Sequence, residues 1–559
     1  MADVVPSKVR KRGVTRRSFL KTIGVAGAAG AAPAFLRAPA AAQDIPVTPA
    51  RDPAAKRGGT LRYGIISAPA HFDLHQSGTV SNIGAQGPMY DCLIRRDPHD
   101  GQTIIPDLAY KWDVAPDGKK YTFHLRKGVK FHDGADFTAA DVKATYERIV
   151  RPPKGVVIPR SSLFTAVGEI VVLDPYRIEF RLTEPRPQAF MLAGFACGWN
   201  VIVRKKSLDD NQGNLRQVMN YPGTGPFRHV SRKDKEVWIQ ERNPNYWNKG
   251  LPYVDHLEVY HLAPFSPELG SAFLSGKIDY ARLLDPVSWR KAKEMPGVTA
   301  AVFNQSVIQA FWMNQKKNKA FQDVRVRRAI HLAMDRHVLV DVVKDTAPMQ
   351  VGGFVYPFHE ASTPKAELEK RLGYQKDPKA AIQEAQKLMK EAGYGQGIKN
   401  LDFVVREANT FKLWAVAIQA MLKENLNIEC NLRVVQISQW FEEAAAGNFD
   451  LAISAIVSSV MDPSDYFEAW YGKNGPQNYA GWTNEQFHAL ARQIEREVDD
   501  SKRKPMIRQA EEILEKDPPL IPVAYEQIND AWYNRVHGQN PSKFFGIYDV
   551  VRWDTVWMG

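Results

Sequence analysis

Pro106-Asp107-Leu108-Ala109-Tyr110-Lys111-Trp112, then Asp117-Gly118-Lys119-Lys120-Tyr121-Thr122-Phe123-His124-Leu125-Arg126-Lys127-Gly128-Val129-Lys130-Phe131-His132-Asp133-Gly134, then Phe137-Thr138-Ala139-Ala140-Asp141-Val142 form the most informative stretch of the chain. Tyr121 to Arg126 alternates apolar and polar residues, the pattern of a half-buried strand. Thr138 followed three residues later by Asp141 is close to a capping box. Val142, Tyr146 and Ile149 then share one face of a helix. The glycines and prolines set turns between these elements.

Outward from there, strands and helices alternate irregularly, with no fixed-period repeat. Tyr176 to Leu182, Glu236 to Gln240 and Leu257 to Tyr260 read as further strands. Asp377-Pro378 opens a helix with Pro at its first position. Ala381, Ile382, Ala385, Leu388 and Met389 form its stripe, and Gly393 closes it. Pro505 is expected to start another helix, carrying Ile507, Ala510, Ile513 and Leu514. The mixture implies α/β or α+β domains, and 559 residues imply two or more folding units.

The net charge of +12 invites a nucleic-acid reading, but its location weakens that. Up to Ala42 eight basic residues face one acid, Asp3, so this segment carries +7 and leaves +5 for the rest. Beyond it stand scattered pairs such as Lys205-Lys206, which read as solvated surface, so no nucleic-acid partner is expected. Cys92, Cys197 and Cys430 are an odd number without a C-x-x-C pair, which argues against a structural zinc site and for buried free thiols.

The first 42 residues read as an export address. Arg16-Arg17-Ser18-Phe19-Leu20-Lys21 precedes a short Gly/Ala-rich apolar region and then Ala38-Pro39-Ala40-Ala41-Ala42. The paired arginines resemble the twin-arginine signal, with Arg16 and Arg17 as its signal residues. The apolar region is too short and weak for a good membrane span. No cysteine follows it before Cys92, so no lipid anchor is expected. Residues 43–57, rich in Pro and Ala, read as a disordered lead-in.

The opening stretch resembles the signature of the extracellular solute-binding proteins of family 5, the oligopeptide-, dipeptide- and nickel-binding proteins of ABC importers. The likeness continues in order through Gly223-Thr224-Gly225-Pro226-Phe227, Arg242-Asn243-Pro244-Asn245-Tyr246-Trp247, Leu274-Ser275-Gly276-Lys277-Ile278-Asp279-Tyr280, Val324 to Ile330, Ala333-Met334-Asp335-Arg336, Lys390 to Tyr394 and Asp462-Pro463, covering about residues 57–525. Trp112, Phe131 and Tyr246 are expected in the core, so these motifs identify the fold and leave the ligand open. The resemblance implies an α/β, periplasmic binding protein-like fold (type II, cluster C). It has two lobes with a hinge of two crossing segments and an extra subdomain in lobe one. Residues 1–42 would be the signal peptide. Residues 43–90, 222–306 and 526–559 would form lobe one, 91–221 its inserted subdomain, and 307–525 lobe two.

The function this implies is the periplasmic capture of a small solute in an interlobe cleft and its delivery to an ABC permease and ATPase complex. The twin-arginine translocase would serve during export, and the protein would act as a monomer without a cofactor. Ser67, His71, Phe72, Trp312, Asn314, Arg406, Ser459, Trp482 and Tyr525 are the candidate ligand contacts, chosen from loops after strands and from aromatics able to stack. In dipeptide-binding relatives an aspartate that holds the peptide ammonium stands three residues before the Asp of Asp-Pro. Here that position is Ser459, with Ile456 and Ser458 replacing the accompanying Trp and Gly, which argues against a free peptide N-terminus there. A family arginine near Arg406 holds a carboxylate. His71 and His75 have metal-ligand spacing but sit in a loop-like setting, so no metal site is assigned, while a chelated metal such as nickel stays open as cargo. The alternative, an exported periplasmic enzyme, lacks any G-x-G-x-x-G, P-loop, H-E-x-x-H or G-x-S-x-G motif, so no catalytic residue is expected.

Overall fold

Two strands of unusual length organise the molecule: Val298–Met313, of 16 residues, and Leu520–Tyr533, of 14. They pair antiparallel at the centre of an 11-stranded sheet. The computed structural model describes residues 49, 51–538 and 552–559, except positions 66, 67, 70, 78, 79, 102, 263–265, 283, 459, 461, 474 and 476. The expected signal segment with Arg16 and Arg17, and the candidates Ser67 and Ser459, lie outside the described residues.

On one side of the long pair the sheet continues through Leu451–Val457, Leu401–Arg406 and Cys430–Val435, with the last three mutually parallel. Alternation sends Phe311, Phe403, Val405 and Ile453 to one face, where helices Val324–Ala333, Lys379–Glu391 and Asn409–Leu426 cover them. Ala310, Trp312, Val404 and Ala452 go to the other face, under helices Ile437–Ala446, Pro463–Tyr471, Glu485–Arg496 and Asp500–Lys516. On the other side of the long pair the sheet continues through Tyr280–Ala281, Thr60–Ile65, His256–His261, Val237–Arg242 and Phe227–Lys233, around a separate core.

Residues 93–202 supply all but one of the buried side chains of a third core. It is built on an antiparallel sheet in the order Ala109–Val114, Lys120–Leu125, Arg177–Leu182, Val167–Asp174. Helix Ala139–Val150 lies against it. Its capping box forms as read, with Thr138 Oγ1 accepting from the Ala140 N–H and Asp141 accepting from the Thr138 N–H. Phe131 and Tyr246 are buried, and Trp112 is partly buried against this core.

The Gly-Thr-Gly-Pro turn has a steric cause. A Cβ at Gly223 would stand 2.1 Å from the Met89 carbonyl oxygen, and one at Gly225 would stand 2.4 Å from the Met89 carbonyl carbon, so only glycine lets these backbones meet. Thr224 between them donates to Asp91 at 2.9 Å. All three cysteines are buried.

Two helix starts differ from the reading of the sequence. Pro378 is the N-cap of Lys379–Glu391, one residue before the first turn. Pro505 lies inside helix Asp500–Lys516. Asp499 caps that helix by accepting from the Ser501 N–H, and this signal outweighs the proline, whose exposed ring forgoes one backbone bond near the helix start.

Candidate functional site

The two long strands fall out of register halfway along. Asn304 faces Gln527 and Ile308 faces Tyr525, so three residues on one strand stand opposite one residue, Glu526, on the other. The parallel strands of both halves run toward this irregularity. Leu451–Val457 finishes with Val457 opposite Val307, and Arg406 closes the neighbouring parallel strand. Thr60–Ile65 runs parallel to Tyr280–Ala281, whose antiparallel partner is Trp532-Ala531, so its carboxyl end advances toward the same place. In open α/β sheets, ligands bind in the crevice outside the carboxyl ends of the strands.

The side chains gathered there are polar. Gln309 donates to Glu526 Oε2 at 2.9 Å and Gln305 to Glu526 Oε1 at 3.4 Å. Gln350 and Gln527 donate to Asn304 Oδ1 at 2.8 and 3.0 Å. Gln305 and Gln309 are 0% and 2% exposed, and their amide oxygens have no hydrogen-bond partner among the described residues. Glu526 and Arg406 are both partly exposed. Burial among its neighbours pushes the Glu526 carboxyl up to about 7, against the pull of the Arg406 guanidinium and the Gln309 amide. Burial likewise pushes Arg406 down, opposed by Glu526. Arg406 lies 5.3 Å from the Phe411 ring centre, and its Nε has no partner among the described residues.

The raised Glu526 carboxyl has a consequence for stability. Between about pH 4.5 and 7 the folded chain keeps a proton there that the unfolded chain releases, so its contribution to stability falls as pH rises. Glu526→Gln removes that titration. The variant should therefore gain on the wild type in thermal unfolding as the buffer moves from about pH 5 to about pH 8. A difference in melting temperature that does not change with pH would contradict this.

Of the candidates read from the sequence, the structure brings Arg406 to this cluster. Tyr525 is adjacent in the chain, but its ring is buried with Tyr356 and its hydroxyl donates to the Gly353 carbonyl at 2.6 Å. Trp312 is buried against Trp440 and Tyr479. Asn314 shapes a turn: its Nδ2 donates to the Gly447 and Phe449 carbonyls and its Oδ1 accepts from the Lys316 and Lys317 N–H groups. Trp482 is buried and donates to Asp517 at 3.0 Å. For these four, packing and internal hydrogen bonds replace the expected exposure to a cleft.

His71 and Phe72 follow the Thr60–Ile65 strand. Phe72 packs edge-on against Trp238 beneath Arg232, and the His71 ring faces Asn82 at 3.3 Å. His75 is buried and held by the Val201 carbonyl at 2.8 Å and by Arg148. Among the described residues no group of three or more His, Cys, Asp or Glu is placed to hold a metal ion. Glu526, Gln305 and Gln309 were not among the sequence candidates. The available signal was the break of two long apolar strands by Asn304-Gln305 and Glu526-Gln527.

A surface cavity of about 810 Å³ lies away from this cluster, on the third core beside Trp247. Its cations Arg126 and Lys127 rest over the Trp247 and Tyr176 rings. The convergence of strand ends marks the bulge, and not this surface hollow, as the candidate site.

Residues 103–478 match the family described as bacterial extracellular solute-binding proteins, family 5 Middle. The chain is 25% identical over 451 residues to the dipeptide-binding protein DppE of Bacillus subtilis (strain 168), covering 78% of this chain and 80% of that protein. The periplasmic binding protein DppA from Helicobacter pylori in complex with peptide STSA matches with a TM-score of 0.74 and 24% identity, over 90% of this chain and 98% of that one. AgaA from A. tumefaciens R10 in complex with agropinic acid matches with a TM-score of 0.75 and 22% identity, over 90% and 99%. The fold is therefore α/β and periplasmic binding protein-like, type II, cluster C. With a family match across two-thirds of its length, the chain belongs to the bacterial extracellular solute-binding proteins of family 5.

Proposed function

We propose that this protein is the periplasmic solute-binding component of an ABC import system. It captures a small peptide-like or other polar organic solute at the strand bulge and delivers it to the permease and ATPase complex. The observation that carries this reading is the convergence of parallel strand ends on Arg406, Glu526, Gln305 and Gln309, a polar and partly exposed cluster in the middle of an otherwise apolar sheet. Relatives named for dipeptides, and solved structures holding the peptide STSA or agropinic acid, support a polar organic solute. The bulge divides the long strands near residues 306 and 526, which supports lobe boundaries there and a hinge running through both strands. Capture is then a shift between open and closed populations, set by the preference of the solute for the closed state. Arg406 is the group that takes a carboxylate, by a paired hydrogen bond of its fork.

Export through the twin-arginine route belongs to the same proposal. Replacing Arg16 and Arg17 together by Lys should leave the chain in the cytoplasm, as read by fractionation. Periplasmic yield equal to the wild type would refute that route.

The function itself is tested by deleting the gene and measuring uptake of the solute that mass spectrometry identifies in natively purified protein. Loss of uptake, restored by the wild-type gene, is expected. Undiminished uptake, or a released molecule chemically altered by incubation with the protein, would overturn the reading and favour a sensor or an enzyme.

A further inference from the structure

We infer that Glu526 is a specificity-determining residue that takes a cationic nitrogen of the solute, so that the captured class is an amino-acid-derived zwitterion whose carboxylate lies on Arg406. This rests on the reading of the bulge as the binding site and narrows it to a charge pattern.

Glu526 and Arg406 carry opposite charges, feel each other's field, and do not meet: no hydrogen bond or ion pair joins them. Each is held by something else. The Glu526 carboxylate is held by two amide donors, one on each oxygen, from Gln305 and Gln309, which are themselves buried within the sheet. Arg406 is placed over Phe411 and makes no hydrogen bond or ion pair with any other described residue. Two opposite charges sheltered from water and free to approach would close into an ion pair. Here the backbone and the amides hold them apart, and both keep some exposed surface.

The valence of the site points the same way. A carboxylate offers about four acceptor positions, and two are filled here, so Glu526 retains capacity for a protonated amine. A neutral polar solute would leave two desolvated charges unmatched, and a purely anionic one would meet Glu526 unfavourably. A solute with a protonated amine and a carboxylate satisfies both residues. Burial also raises the Glu526 carboxyl, and a cation bound beside it would lower it.

The test uses calorimetry on the full mature chain, stripped of bound solute and refolded. The probes are the free L-α-amino acids and a set of dipeptides, each with its N-acetyl form, which lacks the cation, and its C-terminal amide, which lacks the anion. In the wild type the tightest probe should be a free zwitterion, bound at least tenfold more tightly than its N-acetyl form. Glu526→Gln keeps the size and hydrogen bonding of the side chain and removes a desolvated charge, so it should fold. In that variant the free and N-acetyl forms should bind within about twofold of each other. Glu526→Asp, which retains the charge, should recover part of the preference. The inference is overturned if the N-acetyl form binds as well as the free form in the wild type, if Glu526→Gln keeps the wild-type preference, or if no probe binds. If Arg406→Ala still abolishes binding of the N-acetyl probes in the first two cases, the bulge remains the binding site and only the role of Glu526 fails. If neither variant changes the binding of any probe that does bind, the site assignment itself fails.

Discussion

Arg552→Ala should lower the unfolding free energy by about 3–5 kcal/mol, the range for removing one partner of a buried ion pair. Arg552 is fully buried, and its fork reaches two aspartates that are also buried, Asp91 at 2.6 Å and Asp107 at 2.8 Å. Asp91 further accepts from Thr224, Tyr246 and Trp247, and Asp107 accepts from the Cys92 N–H. The cluster therefore ties the carboxyl-terminal segment to the start of the third core and to the Gly-Thr-Gly-Pro turn. Removing the guanidinium leaves two carboxylates without their cation. Burial already raises Asp91 against the pull of Arg552, and without Arg552 it would titrate further above its unfolded value. The folded variant would then hold more protons than the unfolded one, so its stability would fall as pH rises. The deficit should therefore be smaller near pH 5 than near pH 8. Urea unfolding at the two pH values reads this directly. Unfolding free energies within about 0.5 kcal/mol of the wild type at both would show that the cluster is not holding the fold.

Arg406→Ala should weaken binding of an anionic solute at least tenfold, about 1.4 kcal/mol, with little loss of stability. The side chain makes no ion pair or hydrogen bond with any other described residue, so its removal costs the contact of its guanidinium with the Phe411 ring and relieves a desolvated charge. Bound solute changes the balance, because a carboxylate in a site sheltered from water loses both arms of the guanidinium fork at once. Titration calorimetry of the released solute against both proteins measures it, with melting temperature as the control for folding. Equal affinities would remove Arg406 from the site.

Much of the fold could be read from residue patterns. The capping box at Thr138, the strand at Tyr121 and the glycine turn at 223–225 each follow from local chemistry that a sequence displays. The family signature located them in order. The proposed binding residues were harder. Trp312, Trp482 and Tyr525 were chosen because aromatic rings stack on ligands, yet a large ring gains more by burial in a core, and all three are buried in one beneath the helices of the Leu401–Arg406 half of the sheet. Glu526, Gln305 and Gln309 were missed because their meaning depends on register. A polar residue within an apolar strand reads as an edge or an interruption until the opposing strand is known, and here the opposing strand lies more than two hundred residues away. Pro505 misled for a related reason: a proline's preference for helix starts is local, while Asp499, six residues earlier, supplied the stronger start.

In the proposed mechanism the sheet flexes at its bulge and shuts around an unaltered guest. Small-angle X-ray scattering on the mature protein, first stripped of solute and then resaturated with the molecule released from it, tests this most directly. A smaller radius of gyration on resaturation, reversed when the solute is removed again, is the predicted result. Superimposable scattering curves at full occupancy would contradict it.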